Sequence, residues 1–300
     1  MTLDIIGKRK IWFAISLIII LAGIASMIIK TFTLGAPLNL GIDFTGGNII
    51  TVSFTKNVSV SDVRQALDKL DLGNSVIQKT ATGEFIIRTK TLTDKEYKQV
   101  LDAFKNDVAP YQEGKLSRNE VKPVIGKELT LNAIWALAIA SVLMVIYITF
   151  RFEFKFGIAA IIALLHDVFV TMGIFSIFWW EVDSAFVAAI LTIIGYSIND
   201  TIVIFDRIRE NLHRKKKDEN FEELVNKSIM QTMARSINTV LTVIIVLVAL
   251  LIFGGSTIRY FTLAMLIGVI SGAYSSIFNA SPLWVEFKYW EQRRRKLAKT

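Results

Sequence analysis

The chain has 300 residues, is 53% hydrophobic and has a mean hydropathy of +0.49. That is too apolar for an ordinary soluble protein, and its long Ile/Leu/Val runs with four prolines exclude a disordered chain. The net charge of +8 sits beside apolar runs, as membrane topology demands, which argues against a nucleic-acid partner; with no cysteine there is no disulfide framework or thiolate metal site.

The first apolar run, 11–29, follows Lys8, Arg9 and Lys10 and precedes Lys30. It is longer than a signal-peptide core and lacks a small-residue cleavage site, so it is read as an uncleaved first transmembrane helix. Its basic flank places the N-terminus in the cytoplasm, so residues 1–30 are cytoplasmic N-terminus plus helix 1.

Residues 31–127 form the long polar segment between spans and therefore lie outside the cytoplasm. Gly41–Gly47 reads GIDFTGG. Residues 48–54 are rich in β-branched side chains and predict a strand. Val60, Val63, Leu67 and Leu70 recur at helical spacing, with Ser59 or Ser61 as cap. A hairpin is expected over 75–80 and 84–89, then a helix over 93–108, then a strand over 116–125 interrupted by Pro123. The order βαββαβ predicts an exported α+β, ferredoxin-like domain. It contains no acid pair or His cluster of the kind an enzyme site needs.

Five further apolar runs follow, at 131–150, 157–178, 184–205, 236–253 and 261–285. The fold class is therefore an α-helical polytopic membrane protein of six transmembrane helices with one exported domain between helices 1 and 2. Helices 2–6 occupy 128–285 and the tail 286–300 is cytoplasmic. The loop 206–235 is strongly basic and cytoplasmic. Its amphipathic stretch, Phe221, Leu224, Val225 and Ile229, is expected to lie along the inner membrane surface. With both termini inside, every short loop obeys the positive-inside rule.

An ionisable residue inside a span costs roughly 2.5–3.5 kcal/mol on insertion scales and marks an ion pathway or a functional contact. Asp200 is such a residue, about 9 Å inside the interface at Asp206 by helix rise. Tyr196 and Ser197 lie on its helical face as hydrogen-bond candidates, with Asn199 beside it. Arg235 stands at the mouth of the fifth span, with Asn238 and Thr239 continuing its face. A guanidinium stays protonated, so Arg235 is read as stabilising the ionised Asp200 and releasing it on protonation; its alternative reading is a snorkelling interface residue. Asp167 and His166, in the third span, are either further relay elements or a polar contact between helices. Gly268 and Gly272 form a GxxxG, on one face with Ser275 and Asn279, read as packing within the bundle or against a partner. No nucleophile–base pair, phosphate loop or metal-ligand set is visible, so the chain is not read as an enzyme and no cofactor is expected beyond the coupling ion, H⁺ or Na⁺.

Four segments carry a resemblance: GIDFTGG at 41–47, VKPVIGKEL at 121–129, His166-Asp167 in ALLHDVFVT, and GYSINDTIVIFDRIREN at 195–211 with Arg235 in ARSINT. The chain resembles the SecD/SecF family of bacterial protein-export membrane proteins, within the resistance-nodulation-division superfamily, and the 195–211 stretch is similar to its smaller subunits. Lys122 stands where the family usually has glycine. The resemblance implies an inner-membrane subunit that pairs with SecD beside the SecYEG translocon and uses the proton motive force to help translocating preproteins across. It implies that Asp200 and Arg235 are the important charged residues and that Gly41, Asp43, Gly46 and Gly47 are the family's motif positions. The rival readings are a small-molecule or lipid exporter of the same superfamily, or a non-transporting assembly subunit.

Overall fold

The computed structural model of the chain describes residues 3–73, 75–80, 82–255 and 258–297. The elements in order are α1 (Arg9–Leu34), β1 (Asn39–Leu40), α2 (Ile42–Thr45), β2 (Gly47–Val52), α3 (Val60–Asp68), β3 (Val76–Lys79), β4 (Phe85–Thr89), α4 (Asp94–Ala103), β5 (Ser117–Val121), α5 (Pro123–Arg151), α6 (Phe154–Phe178), β6 (Glu181–Val182), α7 (Ser184–His213), α8 (Phe221–Phe253), α9 (Arg259–Ser275) and α10 (Ser281–Leu297). They fall into two units: 40–134, and 1–39 together with 135–300.

In the first unit, β3, β4, β2 and β5 lie side by side in that order, each pair antiparallel. Alternate residues Ile50, Val52, Phe85 and Ile87 turn to one face and meet Val63 and Leu67 of α3 and Val100 of α4, with Phe104 just beyond it. Both helices begin in reciprocal caps: Ser59 with Asp62, and Thr93 with Glu96. The GIDFTGG segment makes the single turn α2 and then β2. Gly46 sits at φ 76°, and a Cβ on Gly47 would lie 2.3 Å from the Thr89 carbonyl oxygen, so both positions exclude a side chain.

The last strand ends at Val121 rather than running on to 125, because Pro123 opens α5. Proline suits the first turn of a helix, where its missing N–H has no intrahelical partner. Lys122 is exposed and is not among the residues with positive φ, so its backbone does not require the family's glycine.

The second unit is a helical bundle. Among the described residues, six helical segments are long and apolar enough to cross a membrane: Arg9–Leu34, Thr130–Arg151, Phe154–Phe178, Ser184–His213, Phe221–Phe253 and Arg259–Leu297. Their outward side chains, such as Leu17, Ile18, Ile245 and Ile252, are apolar and exposed, as lipid-facing positions are. Close approach depends on glycine. A Cβ on Gly23 of α1 would lie 2.6 Å from the Gly173 Cα of α6, and one on Gly268 of α9 would lie 2.2 Å from Ile193 of α7. The GxxxG therefore packs inside the bundle. The last span is not a plain α-helix: a π-helical turn, Ser276–Ala280, separates α9 from α10. Pro282 follows it, lacking an N–H and crowding the carbonyl four residues back, which gives the ladder a reason to widen there.

The expectation for 206–235 needs correction. α7 runs on to His213 and α8 starts at Phe221, leaving only a short connection. Leu224, Val225 and Ile229 are buried in the protein instead of lying on a membrane surface. The two helix extensions are tied by Arg207 Nε donating to Gln231 (2.7 Å) and Asn211 Nδ2 donating to Ser228 Oγ (2.8 Å). An apolar stripe has the same helical period whether it meets lipid or protein.

Candidate functional site

Asp167 and Asp200 are carboxylates within the spans α6 and α7, and their surroundings differ. Asp167 of α6 is completely buried. Its Oδ1 accepts from Ser271 Oγ at 2.7 Å and faces His166 Nδ1 at 3.0 Å; its Oδ2 accepts from Ser197 Oγ at 2.8 Å and Ser275 Oγ at 2.9 Å. Four partners match the four acceptor sites of a carboxylate. They come from α6, α7 and α9, so one side chain joins three helices. Gly272 makes room for this: a Cβ there would lie 3.0 Å from Ser197 Oγ and 3.5 Å from Asp167 Oδ2.

The polar zone continues beyond Asp167. Thr201 and Ser276 share a hydrogen bond of 2.7 Å, and both hydroxyls lie within reach of the Ser197 carbonyl. The His166 ring stacks on Tyr274 at 6.0 Å, and Tyr274 Oη donates to the Trp12 carbonyl of α1 at 2.8 Å. His166 Nε2 is buried and has no hydrogen-bond partner among the described residues.

Asp200 of α7 is half-buried and far less tied down. Its Oδ1 accepts from Ser236 Oγ of α8 at 2.6 Å. Its Oδ2 is buried and has no hydrogen-bond partner among the described residues. Arg235 is exposed, and its charge is close enough to act on Asp200 electrostatically, although the hydrogen bond comes from its neighbour Ser236.

The two residues expected to bond Asp200 are engaged elsewhere. Ser197 serves Asp167, and Tyr196 Oη donates to the Thr239 carbonyl at 3.3 Å. Asn199, Asn238 and Thr239 are exposed, and Thr239 donates back to the Arg235 carbonyl. Sequence reasoning missed Ser236, Ser271, Ser276 and Thr201. Ser271 and Ser275, four apart on the face that carries Gly268 and Gly272, were the readable signal. Ser236 had none beyond its place beside Arg235.

A bundle of apolar helices enclosing hydrogen-bonded carboxylates is that of a multi-pass membrane protein. Residues 100–290 match the family described as protein export membrane protein SecD/SecF, C-terminal, and residues 26–58 match the SecD/SecF GG motif. The chain belongs to the SecD/SecF family. It is 43% identical over 288 residues to the protein translocase subunit SecF of Sebaldella termitidis, covering 94% of this chain and 91% of that protein. It is 42% identical over 299 residues to the protein translocase subunit SecDF of Bacillus subtilis, covering 97% of this chain and 39% of that one. Its fold is similar to the crystal structure of SecDF, a translocon-associated membrane protein, from Thermus thermophilus, with TM-score 0.77 and 35% identity, over 96% of this chain and 39% of that chain. The chain thus spans about two-fifths of the SecDF chains and nearly all of the SecF relative.

Proposed function

We propose that this chain is the smaller subunit of a SecD–SecF accessory complex of the Sec translocon and uses the proton motive force to assist protein translocation across the cytoplasmic membrane. Asp200 is the proton-binding group. The observation that carries this is the asymmetry of its carboxylate: one oxygen is held by Ser236, and the other is buried without a partner among the described residues. A carboxylate with a spare acceptor inside an apolar helix can take up one proton and lose its charge. Arg235 supplies the opposing charge in the ionised state. Of the two readings open for Asp167 and His166, the polar contact between helices is favoured over a place in the relay, because every acceptor site of Asp167 is filled. The ion is read as H⁺ because a hard cation takes several oxygen ligands at once, whereas Asp200 offers one free oxygen.

Relatives named SecF and a relative named SecDF, in which a similar sequence occupies part of a longer chain, support pairing with a SecD-type subunit. SecYEG and translocating preproteins are the further partners in this reading. Both termini are cytoplasmic, since the basic segments then all face inward. The unit of 40–134 lies outside and is read as ferredoxin-like, on the strand order β3-β4-β2-β5 with helices α3 and α4 as the crossovers.

The test is export of a secreted precursor in cells whose sole copy carries Asp200→Asn, with co-purification of the SecD-type subunit from the same strain. The reading expects lost export with the complex intact. Loss of the complex itself would favour a docking role for Asp200, and normal export would remove it from the mechanism.

A further inference from the structure

Helix α8 carries five hydroxyl side chains: Ser228, Thr232, Ser236, Thr239 and Thr242. Four of them donate to carbonyls of their own helix: Ser228 to Leu224, Thr232 to Ser228 and Ile229, Thr239 to Arg235, and Thr242 to Thr239. That is the default for Ser and Thr inside a helix, since the carbonyl three or four residues back is always in reach. Ser236 is the exception. It forgoes that acceptor and donates across to Asp200 Oδ1 of α7 at 2.6 Å, with its own side chain almost completely buried at 1% exposure. The length falls in the range of a hydroxyl donating to an ionised carboxylate.

We infer that Ser236 is the positioning residue for proton binding at Asp200: it holds Oδ1 and leaves Oδ2 as the one atom that takes and gives up the proton. This rests on the reading of Asp200 as the proton site. A Ser hydroxyl has one proton to donate, and here it is fixed on Oδ1. An incoming proton forms its O–H bond at Oδ2, and the carboxylate goes from charge −1 to neutral. Oδ1 becomes the carbonyl oxygen and still accepts from Ser236, so the carboxyl group does not need to turn over. On release the Oδ2–H bond breaks, the proton leaves from the same atom, and Ser236 loses none of its own hydrogens.

The hydrogen bond is stronger to the ionised form than to the neutral one, by roughly a factor of two for charge-assisted bonds. Removing the hydroxyl therefore favours the protonated form by about tenfold, or about one pH unit. Ser236 also holds α8 against α7 at the level of the acid, so the same hydroxyl that orients the carboxylate registers its charge on the neighbouring helix. Ser197, nearer in sequence to Asp200, cannot replace it, because its hydroxyl is engaged with Asp167.

The full chain in lipid vesicles, titrated by infrared difference spectroscopy, tests this. The carboxylic C=O band of Asp200 is identified by its loss in Asp200→Asn. In Ser236→Ala the midpoint of that band is expected to move about one pH unit towards alkaline pH, and its frequency to rise as the C=O loses a donor. Ser236→Thr, which keeps the hydroxyl, is expected to titrate as the wild type does, and Ser236→Cys, a weaker donor, to fall between. An Asp200 band with unchanged midpoint and frequency in Ser236→Ala overturns the role of Ser236 and leaves Asp200 as the proton site. A spectrum with no band sensitive to Asp200→Asn at any pH overturns the proton-site reading, and the role of Ser236 with it.

Discussion

Ser197 of α7 lies three residues before Asp200, yet its hydroxyl points to Asp167 of α6, 2.8 Å away. That contact separates Asp167 from Asp200. Asp167 is saturated by donors from three helices, and Asp200 keeps one oxygen without a partner among the described residues. A saturated carboxylate holds helices together, whereas an unsaturated one has capacity for a proton.

The two acids should therefore separate on stability. Asp167→Asn places N–H donors among hydroxyl donors and is expected to cost about 2 kcal/mol or more, lowering the apparent melting temperature in detergent by about 5 °C. Asp200→Asn keeps an oxygen for Ser236 and is expected to melt close to the wild type. Equal melting of the two variants would contradict this division.

Helix contacts give a second prediction. At Gly173 a Cβ would lie 2.8 Å from the Gly23 Cα, a backbone atom that cannot step aside. At Gly268 the obstacles are Cδ1, Cγ1 and Cγ2 of Ile193, side-chain atoms that a change of rotamer can shift, whereas a backbone Cα cannot be shifted in that way. Gly173→Ala is expected to destabilise by about 1–3 kcal/mol as an overpacking change, and more than Gly268→Ala. Thermal melting of the two variants checks the order.

The capping acids of the unit 40–134 give a pH dependence. Hydrogen bonds from the backbone and side chain of Ser59 hold Asp62 below its ordinary value, and those of Thr93 do the same for Glu96. A carboxylate with a lowered folded-state pKa stabilises above its unfolded-state pKa, and the contribution is lost as pH falls through the folded-state value. Amide protection in the first turns of α3 and α4, corrected for intrinsic exchange, is expected to fall as the medium is acidified below about pH 4. Asp62→Asn and Glu96→Gln, which take away the titrating carboxyls, should remove that dependence from their own helices. Protection that is flat across the acid range would contradict it.

Lys122 gives a prediction of no effect. Its φ is not positive and its side chain is exposed. Lys122→Gly is expected to leave stability within about 0.5 kcal/mol of the wild type. A large change in melting temperature would mean that the entry to α5 depends on this side chain.

Much of this architecture was legible in the sequence because spans, caps and strands have local signals. The run 11–29 announced α1, and of the two candidate caps Ser59 and Ser61 the first starts α3. What was not legible depends on the rotation of one helix against another. Helical spacing put Ser197 on the face of Asp200 but carried no information that α6 would present a second acid to it. The same limit hid Ser236, which the sequence places beside Arg235 and only packing places against Asp200. It also misassigned Leu224, Val225 and Ile229 to a membrane surface, since burial against protein and burial in lipid leave the same pattern.

The most direct test of proton use at Asp200 is export into inverted membrane vesicles under an imposed pH gradient, with wild-type and Asp200→Asn chains assembled to equal levels. The gradient is expected to stimulate export in wild-type vesicles and to have no such effect with Asp200→Asn, while export without a gradient is equal in the two. Equal stimulation by the gradient in both would contradict it and place proton use outside Asp200.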